Sequence, residues 1–542
     1  MSIGERQSPH QPAAEPDSAP TPDAASGRPS SGRRAFSSVP ITAAFVAAST
    51  ITLTAIVWSR QTRLFTDHIY PEGDSALNSL LVINAEHFSQ AAGNYSRVGF
   101  HHPGAAFIYV LTAGEVLFEK LHLSPTPFNG QVAVTTVYAT ALFALAATCL
   151  GYLARSWLAG VLAVVLAFAF AAGGAWFGVT WFPMLYAPAF LLFMAAAAVL
   201  GAGRTRFLPL FVLAAGFLVH GHVSFLLYVG VTGLVVVVGW CLAHHGEVRA
   251  ELRRHVLAAW SSVVLLALFL LPLVIQTVRN FPSPWREYVE FSRTALNDPR
   301  TISQVLGYVA NYWTETTWPV AVYGVAAVVL VVLLAVDRRR SRRIGYVWVA
   351  GMLLLQTALA VFYAYRGVDH LEPREVASYV LFYYQMVPLL LVLAAATYLL
   401  SVCLTAARPV AVTGRVLVAA ASLAVLLTAY ATTRLASTPP DGQAYHDAAI
   451  VLRDDAARQG QRIGLVHGDP SAWPDVAGVG VELDRLGVPW CVAPTAAEWP
   501  NLYTSAHMCT AGDPVWSAEL TTKEPPAGEV VLARLPSTSL YR

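Results

Sequence analysis

Long apolar runs alternate with short polar segments along this chain, and that alternation predicts most of its elements. The first run extends from Val39 to Trp58. Further runs of about 20 apolar residues, the length a helix needs to cross a bilayer, lie near 131–153, 157–175, 182–202, 256–278, 317–336, 344–365, 378–402 and 410–431. Phe207–Leu242 is too long for one crossing and is broken at VHGHVSF, so it reads as two spans with His220 and His222 near the turn. These runs make eleven spans in all.

Between the first two spans the pattern changes. From Asp74 to Gln90, apolar Leu77, Leu80, Leu81 and Phe88 alternate with polar Asn78, Ser79, Glu86 and His87. This is an amphipathic helix too polar to span, and it is expected at the membrane interface. Asp74 follows Pro71 and Gly73 and suits an N-cap, where a carboxylate accepts a backbone N–H. The next segment, HHPGAAFIYVLTAGEVLFEKLHL (101–123), is long enough to cross. A crossing there would reverse the side of every later loop. It is read as a second interfacial helix within one large external loop, residues 59–130, with a twelfth span as the alternative.

Arginine decides the sidedness. DRRRSRR (337–343) holds five Arg and one Asp, and HHGEVRAELRRH (244–255), GAGRTR (201–206) and TAARPVAVTGR (405–415) are also basic. With these loops cytoplasmic, 174–182, the turn near 220, 279–316, 366–377 and everything after about 432 fall outside. Residues 1–34 are rich in Pro, Ser and Ala without apolar periodicity and read as a disordered cytoplasmic tail. The picture is a multi-pass protein of the plasma (inner) membrane.

After residue 438 the period changes again. AYHDAAIVLRDDAARQG and PDVAGVGVELDRLG read as helices, and RIGLVHGD, VPWCVAP and EVVLARL as strands. Alternating elements of these lengths predict a small external α/β domain over 438–542. It carries eight basic and thirteen acidic residues after position 431, a balance that does not favour anionic lipid. Of five cysteines, Cys149, Cys241 and Cys403 fall in or beside spans. Cys491 and Cys509 remain, in an oxidising compartment, and are expected to form a disulfide.

Composition agrees with the pattern. Of 542 residues, 56% are hydrophobic and 13% charged, and mean hydropathy is +0.52. Soluble chains carry about 25% charged residues. The net charge of +2 gives no electrostatic footprint for nucleic acid. No metal-ligand spacing is evident, and a divalent cation is not indicated.

Candidate chemistry concentrates in the external segments. TDHIYPEGDSALNSLL places Asp67, Glu72 and Asp74 within eight residues. Carboxylates at a bilayer edge are expensive unless wet or functional. NYSRVGFHHPG supplies Arg97, His101 and His102, and YRGVDHLEPRE supplies Arg366, His370 and Arg374. Arginine reads phosphate through a bidentate fork. Trp285, Tyr288, Tyr312 and Trp313 offer aromatic faces for sugars or an interfacial belt.

One span, then an acidic residue opening a juxtamembrane helix, then an HP(P/G) helix resemble the GT-C superfold of membrane glycosyltransferases. The pattern is similar to that of the protein O-mannosyltransferases and the lipid A aminoarabinose transferases. The matching pieces are EGDSALNSLL, FHHPGAAFIYVL and ASYVLFYYQMVPLLLVLAA (377–395). Two positions depart from the pattern: no Asp-Glu pair stands at the first motif, and Gly104 replaces the second Pro of HPP. The resemblance implies sugar transfer from a polyprenyl-phosphate donor to a glycan, lipid or protein acceptor of the cell envelope, on the outer face. Asp74 is then the expected base with Glu72 as its substitute. Arg97, His101 and His102 are candidates for the donor phosphate or for substrate hydroxyls, and Arg366, His370 and Arg374 for donor-phosphate or substrate binding. The alternatives are a transporter or flippase and an inactive scaffold of the same fold. A transporter calls for ionisable groups at mid-membrane and paired broken helices, whereas the charges here fall in loops.

Overall fold

The computed structural model describes residues 39–96, 100–174, 176–294, 300–368, 371, 379–406, 408–432, 442–493, 502–503, 505–510, 515–524 and 529–541. Among the described residues, seven helices are long and apolar enough to cross a membrane: Val39–Arg60 (α1), Pro127–Ala154, Phe182–Gly201, Phe225–Ala243, Val256–Asn280, Arg340–Arg366 and Phe382–Cys403. Four shorter apolar helices join them: Trp157–Gly173, Thr205–Gly221, Val320–Val336 and Ala419–Ala431. All eleven coincide with the apolar runs of the sequence.

Helix Ala106–Lys120 is not among them. It has 15 residues and carries Glu115, Glu119 and Lys120. It packs along Pro127–Ala154 at close range, and a Cβ on Gly114 would stand 2.5 Å from the Gly130 carbonyl oxygen. Leu117 and Leu121 remain exposed on its far side.

Phe182–Gly201 is the centre of the bundle, buried nearly end to end. The peripheral helices Phe225–Ala243, Val256–Asn280 and Val320–Val336 instead turn Val and Leu outward, among them Leu234, Leu257 and Val331. Apolar side chains facing outward suit a lipid solvent rather than water. Local signals set the ends. Pro127 opens its helix, where a missing N–H costs nothing, and Arg155 closes it in the left-handed conformation. At the Arg-rich end, Arg342 forms a bidentate pair with Asp337, at 2.7 and 2.9 Å, and also donates to the Ser401 carbonyl.

The segment 279–316, expected as an external loop, contains helices Trp285–Thr294 and Ile302–Thr314, the second opened by a Thr301–Gln304 capping box. Two of its aromatics bond within the protein: Tyr288 donates to the His101 carbonyl at 2.8 Å, and Tyr312 donates to the Tyr308 hydroxyl at 2.9 Å, whereas Trp285 is exposed.

The amphipathic segment forms helix Gly73–Glu86. It does not lie on lipid with its polar face in water. Ala76, Leu77 and Leu80 enter the core of the C-terminal domain, whereas Leu81, Val82 and Ala85 enter the membrane core. The helix is therefore sandwiched, with Asn78 and Ser79 buried too.

The C-terminal domain has helices Gln443–Gln459 and Trp473–Arg485 against a five-stranded sheet. Its strands are β1 (Arg462–His467), β2 (Trp490–Val492), β3 (Val515–Thr521), β4 (Val531–Arg534) and β5 (Ser539–Tyr541), ordered β2-β1-β3-β5-β4. β1 runs parallel to β2 and β3, and β5 antiparallel to β3 and β4. Strands β3 and β5 were not legible in the sequence. Cys491 and Cys509 form the expected disulfide, with Cα atoms 5.0 Å apart.

The domain grips the loop that follows α1. The Tyr445 hydroxyl donates to Glu72 at 3.4 Å, and Arg485 pairs with Glu115 at 3.0 Å. Residues 61–126 and the sheet domain therefore share one side of the bundle.

Candidate active site

A cavity of about 150 Å³ opens on the side that carries the sheet domain. Its walls come from the start of helix Gly73–Glu86, the loop 93–102, the head of Phe182–Gly201, the turn at 222–223 and the connection after Arg366. Gly93 N–H donates to the His102 carbonyl and His102 N–H to the Asn94 carbonyl, which folds the loop back on itself.

Asp74 projects into this cavity. It is not the N-cap: that position belongs to Glu72, and no side-chain cap bond forms. Its carboxylate instead accepts from the Tyr95 hydroxyl at Oδ1 and from Trp181 Nε1 at Oδ2, 3.1 Å away. A carboxylate offers about four lone-pair sites, so two donors hold it while leaving it able to accept a proton. Ser75 and Thr180 hydroxyls, 2.8 Å apart, fix the same helix end to the Trp181 segment.

Gly104 is explained by its neighbour. Its N–H donates to the His220 carbonyl, and a Cβ there would come within 2.2 Å of His220 Nδ1. The Ala106 N–H donates to that same Nδ1 at 3.3 Å. The histidine thus occupies the volume that a second proline would need.

His102 lines the cavity, its ring 4.3 Å from that of His222, and burial holds both well toward the neutral form. His101 does not line it. Its Nδ1 lies 3.3 Å from the Gly93 carbonyl, and burial lowers its pKa as well. Glu72 faces Tyr445 of the sheet domain rather than the cavity, and burial raises its pKa. Arg366 is exposed with its guanidinium over Tyr365, away from the cavity walls. Arg97, His370 and Arg374 lie outside the described residues. Asp67 is half-buried and paired with Arg63.

Tyr95, Trp181, Asn78 and His222 also stand at the cavity and were not assigned from sequence. The VHGHVSF break marked His222 as a turn residue, but nothing local connects it with Asp74. Among the described residues, no group of three or more His, Cys, Asp or Glu is placed to hold a metal ion.

No family model matches the chain, and no curated protein matches it in sequence. Solved structures do. ArnT from Cupriavidus metallidurans in the apo state aligns with a TM-score of 0.56 at 14% identity, over 91% of this chain and 98% of that one. ArnT from the same organism bound to undecaprenyl phosphate aligns with a TM-score of 0.51 at 14% identity, over the same 91% and 98%. The fold is a GT-C fold. In this GT-C fold, Asp74 stands in the first loop after α1, and the cavity lies between that loop and the helix bundle. The likeness is one of fold, over 91% of this chain.

Proposed function

We propose that this protein transfers a sugar from a polyprenyl-phosphate donor to a hydroxyl-bearing acceptor of the cell envelope. The observation that carries the reading is Asp74, fixed by Tyr95 and Trp181 in a cavity of a GT-C fold. The ArnT structure with undecaprenyl phosphate supports a lipid-phosphate donor. The Arg-rich loops belong to the cytoplasmic side on the positive-inside rule, which puts the cavity and the sheet domain outside.

In this reading Asp74 takes the proton of the acceptor hydroxyl as its oxygen attacks the anomeric carbon. The bond from that carbon to the phosphate oxygen breaks, its electron pair leaves with the polyprenyl phosphate, and a single displacement inverts the centre. Arg97, directly after cavity-lining Ser96 in sequence, is the proposed cation for the departing phosphate. Glu72 is assigned to the domain contact.

The test is transfer by purified protein in nanodiscs, from polyprenyl-phosphate-linked mannose or arabinofuranose to an envelope extract. Asp74→Asn keeps the shape and one accepted hydrogen bond, from Trp181 Nε1–H to the amide oxygen, while the amide N–H can donate to the Tyr95 hydroxyl; the base is lost. Activity is expected to fall by about 10²-fold or more, with thermal stability retained. A folded Asp74→Asn protein with near-full transfer would refute the assignment.

A further inference from the structure

Three polar residues of the cavity stand apart from the bonds that hold Asp74. Asn78 is 2% exposed, and its Oδ1 has no partner. His102 is 5% exposed, and its Nδ1 has none either. His222 is better defined: the Ser224 backbone N–H donates to its Nδ1 at 3.1 Å, so Nδ1 is the unprotonated nitrogen. In a neutral ring the proton then sits on Nε2, which has no hydrogen-bond partner among the described residues. Around these groups stand Phe100, Trp181, Phe182, Tyr186, Phe291 and Tyr363.

This set does not suit a phosphate. Burial disfavours the charged form of both histidines, and their rings lie too close together for two positive charges to be held cheaply. An unpaired Asn78 carbonyl oxygen would repel an anion. A neutral, hydroxylated ring fits better. Each hydroxyl donates once and accepts twice. The cavity offers acceptors at Asn78 Oδ1, a donor at His222 Nε2, and one of each at His102. Aromatic walls can cover the ring's apolar face. Buried polar groups left unpaired penalise any occupant that lacks matching hydroxyls, which is how such sites discriminate strongly.

We propose that Asn78, His102 and His222 form the sugar-reading subsite, recognising an uncharged hydroxylated sugar ring and not the lipid phosphate. The proposal rests on the glycosyl-transfer reading above. Of the two roles open to His102 from sequence, phosphate binding and hydroxyl recognition, it takes the second, and it adds two residues to the site.

The experiment is equilibrium binding to the full-length protein in nanodiscs, read by intrinsic tryptophan fluorescence. The probes are undecaprenyl phosphate alone and polyprenyl phosphates carrying mannose or arabinofuranose. The expected result is that one sugar-bearing probe binds wild type more tightly than bare undecaprenyl phosphate. His222→Phe and Asn78→Leu should each remove about tenfold of that added affinity, the scale of one lost buried hydrogen bond, while bare-lipid affinity changes less than twofold. His222→Gln, which keeps a donor near the Nε2 position, should restore most of the increment and guards against a merely structural effect. Equal weakening of bare-lipid binding by the histidine variants would overturn the proposal, as would variants that keep the full sugar increment. If wild type binds none of the three probes, the glycosyl-transfer reading itself fails, which is a distinct result.

Discussion

Replacing Arg485 with Met isolates the contact that locks the sheet domain to the membrane domain. The Arg485 side chain is 15% exposed and that of Glu115 3%, and they meet through two contacts, at 3.0 and 3.2 Å. Gln131 donates to the same carboxylate at 2.5 Å. Arg485→Met keeps most of the apolar stem but leaves Glu115 a buried charge with one donor. Breaking a buried pair in this way costs about 3–5 kcal/mol, equivalent to an opening equilibrium larger by roughly 10²–10³·⁵-fold at 1.4 kcal/mol per decade. Glu86 sharpens the prediction, because burial first and Glu115 second push its carboxyl from 4.5 up to about 7. The folded state then binds a proton that the unfolded state releases between those values. This contribution is greatest below about 4.5 and is lost as pH rises through about 7. The single variant should accordingly lose more at pH 8 than at pH 5.5, where a neutral Glu86 can donate to Glu115. Hydrogen exchange in helix Trp473–Arg485 measures the opening. Glu115→Gln combined with Arg485→Met removes both charges while keeping an acceptor for Gln131, and should recover at least half of the loss. Unchanged exchange in Arg485→Met at pH 8, or a double variant as unstable as the single, would refute the reasoning.

Three further outcomes are expected. Gly104→Ala places a methyl 2.2 Å from His220 Nδ1, so it should lower stability by about 1–3 kcal/mol and weaken transfer, as read by thermal unfolding and the nanodisc assay. Arg342→Met leaves Asp337, held by Arg342 at a pKa of about 2, buried with only the Tyr398 hydroxyl and the Arg339 N–H as donors. It should cost about 3–5 kcal/mol, and Asp337→Asn in the same background should restore part of the melting temperature. Cys491→Ser with Cys509→Ser opens a loop with a sequence separation of 18, worth about 3 kcal/mol in the chain-entropy model. Proteolysis of the sheet domain should speed up while the bundle stays intact.

The spans were readable because lipid leaves a chain few choices. Backbone groups must pair internally, so each apolar run of sufficient length becomes a helix regardless of its neighbours. Asp74 could be singled out because a carboxylate at the start of a short polar helix is costly without a task. Its partners could not. Tyr95 lies 21 residues on and Trp181 107 residues on, and no local period links them. The helix Gly73–Glu86 shows the same limit. Its sequence announces one apolar stripe, yet Leu77 and Leu81 end in different cores because a second domain closes over the first. His222 was visible as a break between two spans. Only the folding of loop 93–102 against that break set it beside His102 and turned a turn residue into a wall of the cavity. Local pattern determined which apolar segments become membrane-length helices, because burial in lipid is decided residue by residue. Tertiary structure decided the site, because the cavity is assembled from segments whose contacts depend on packing between elements and not on any sequence within one.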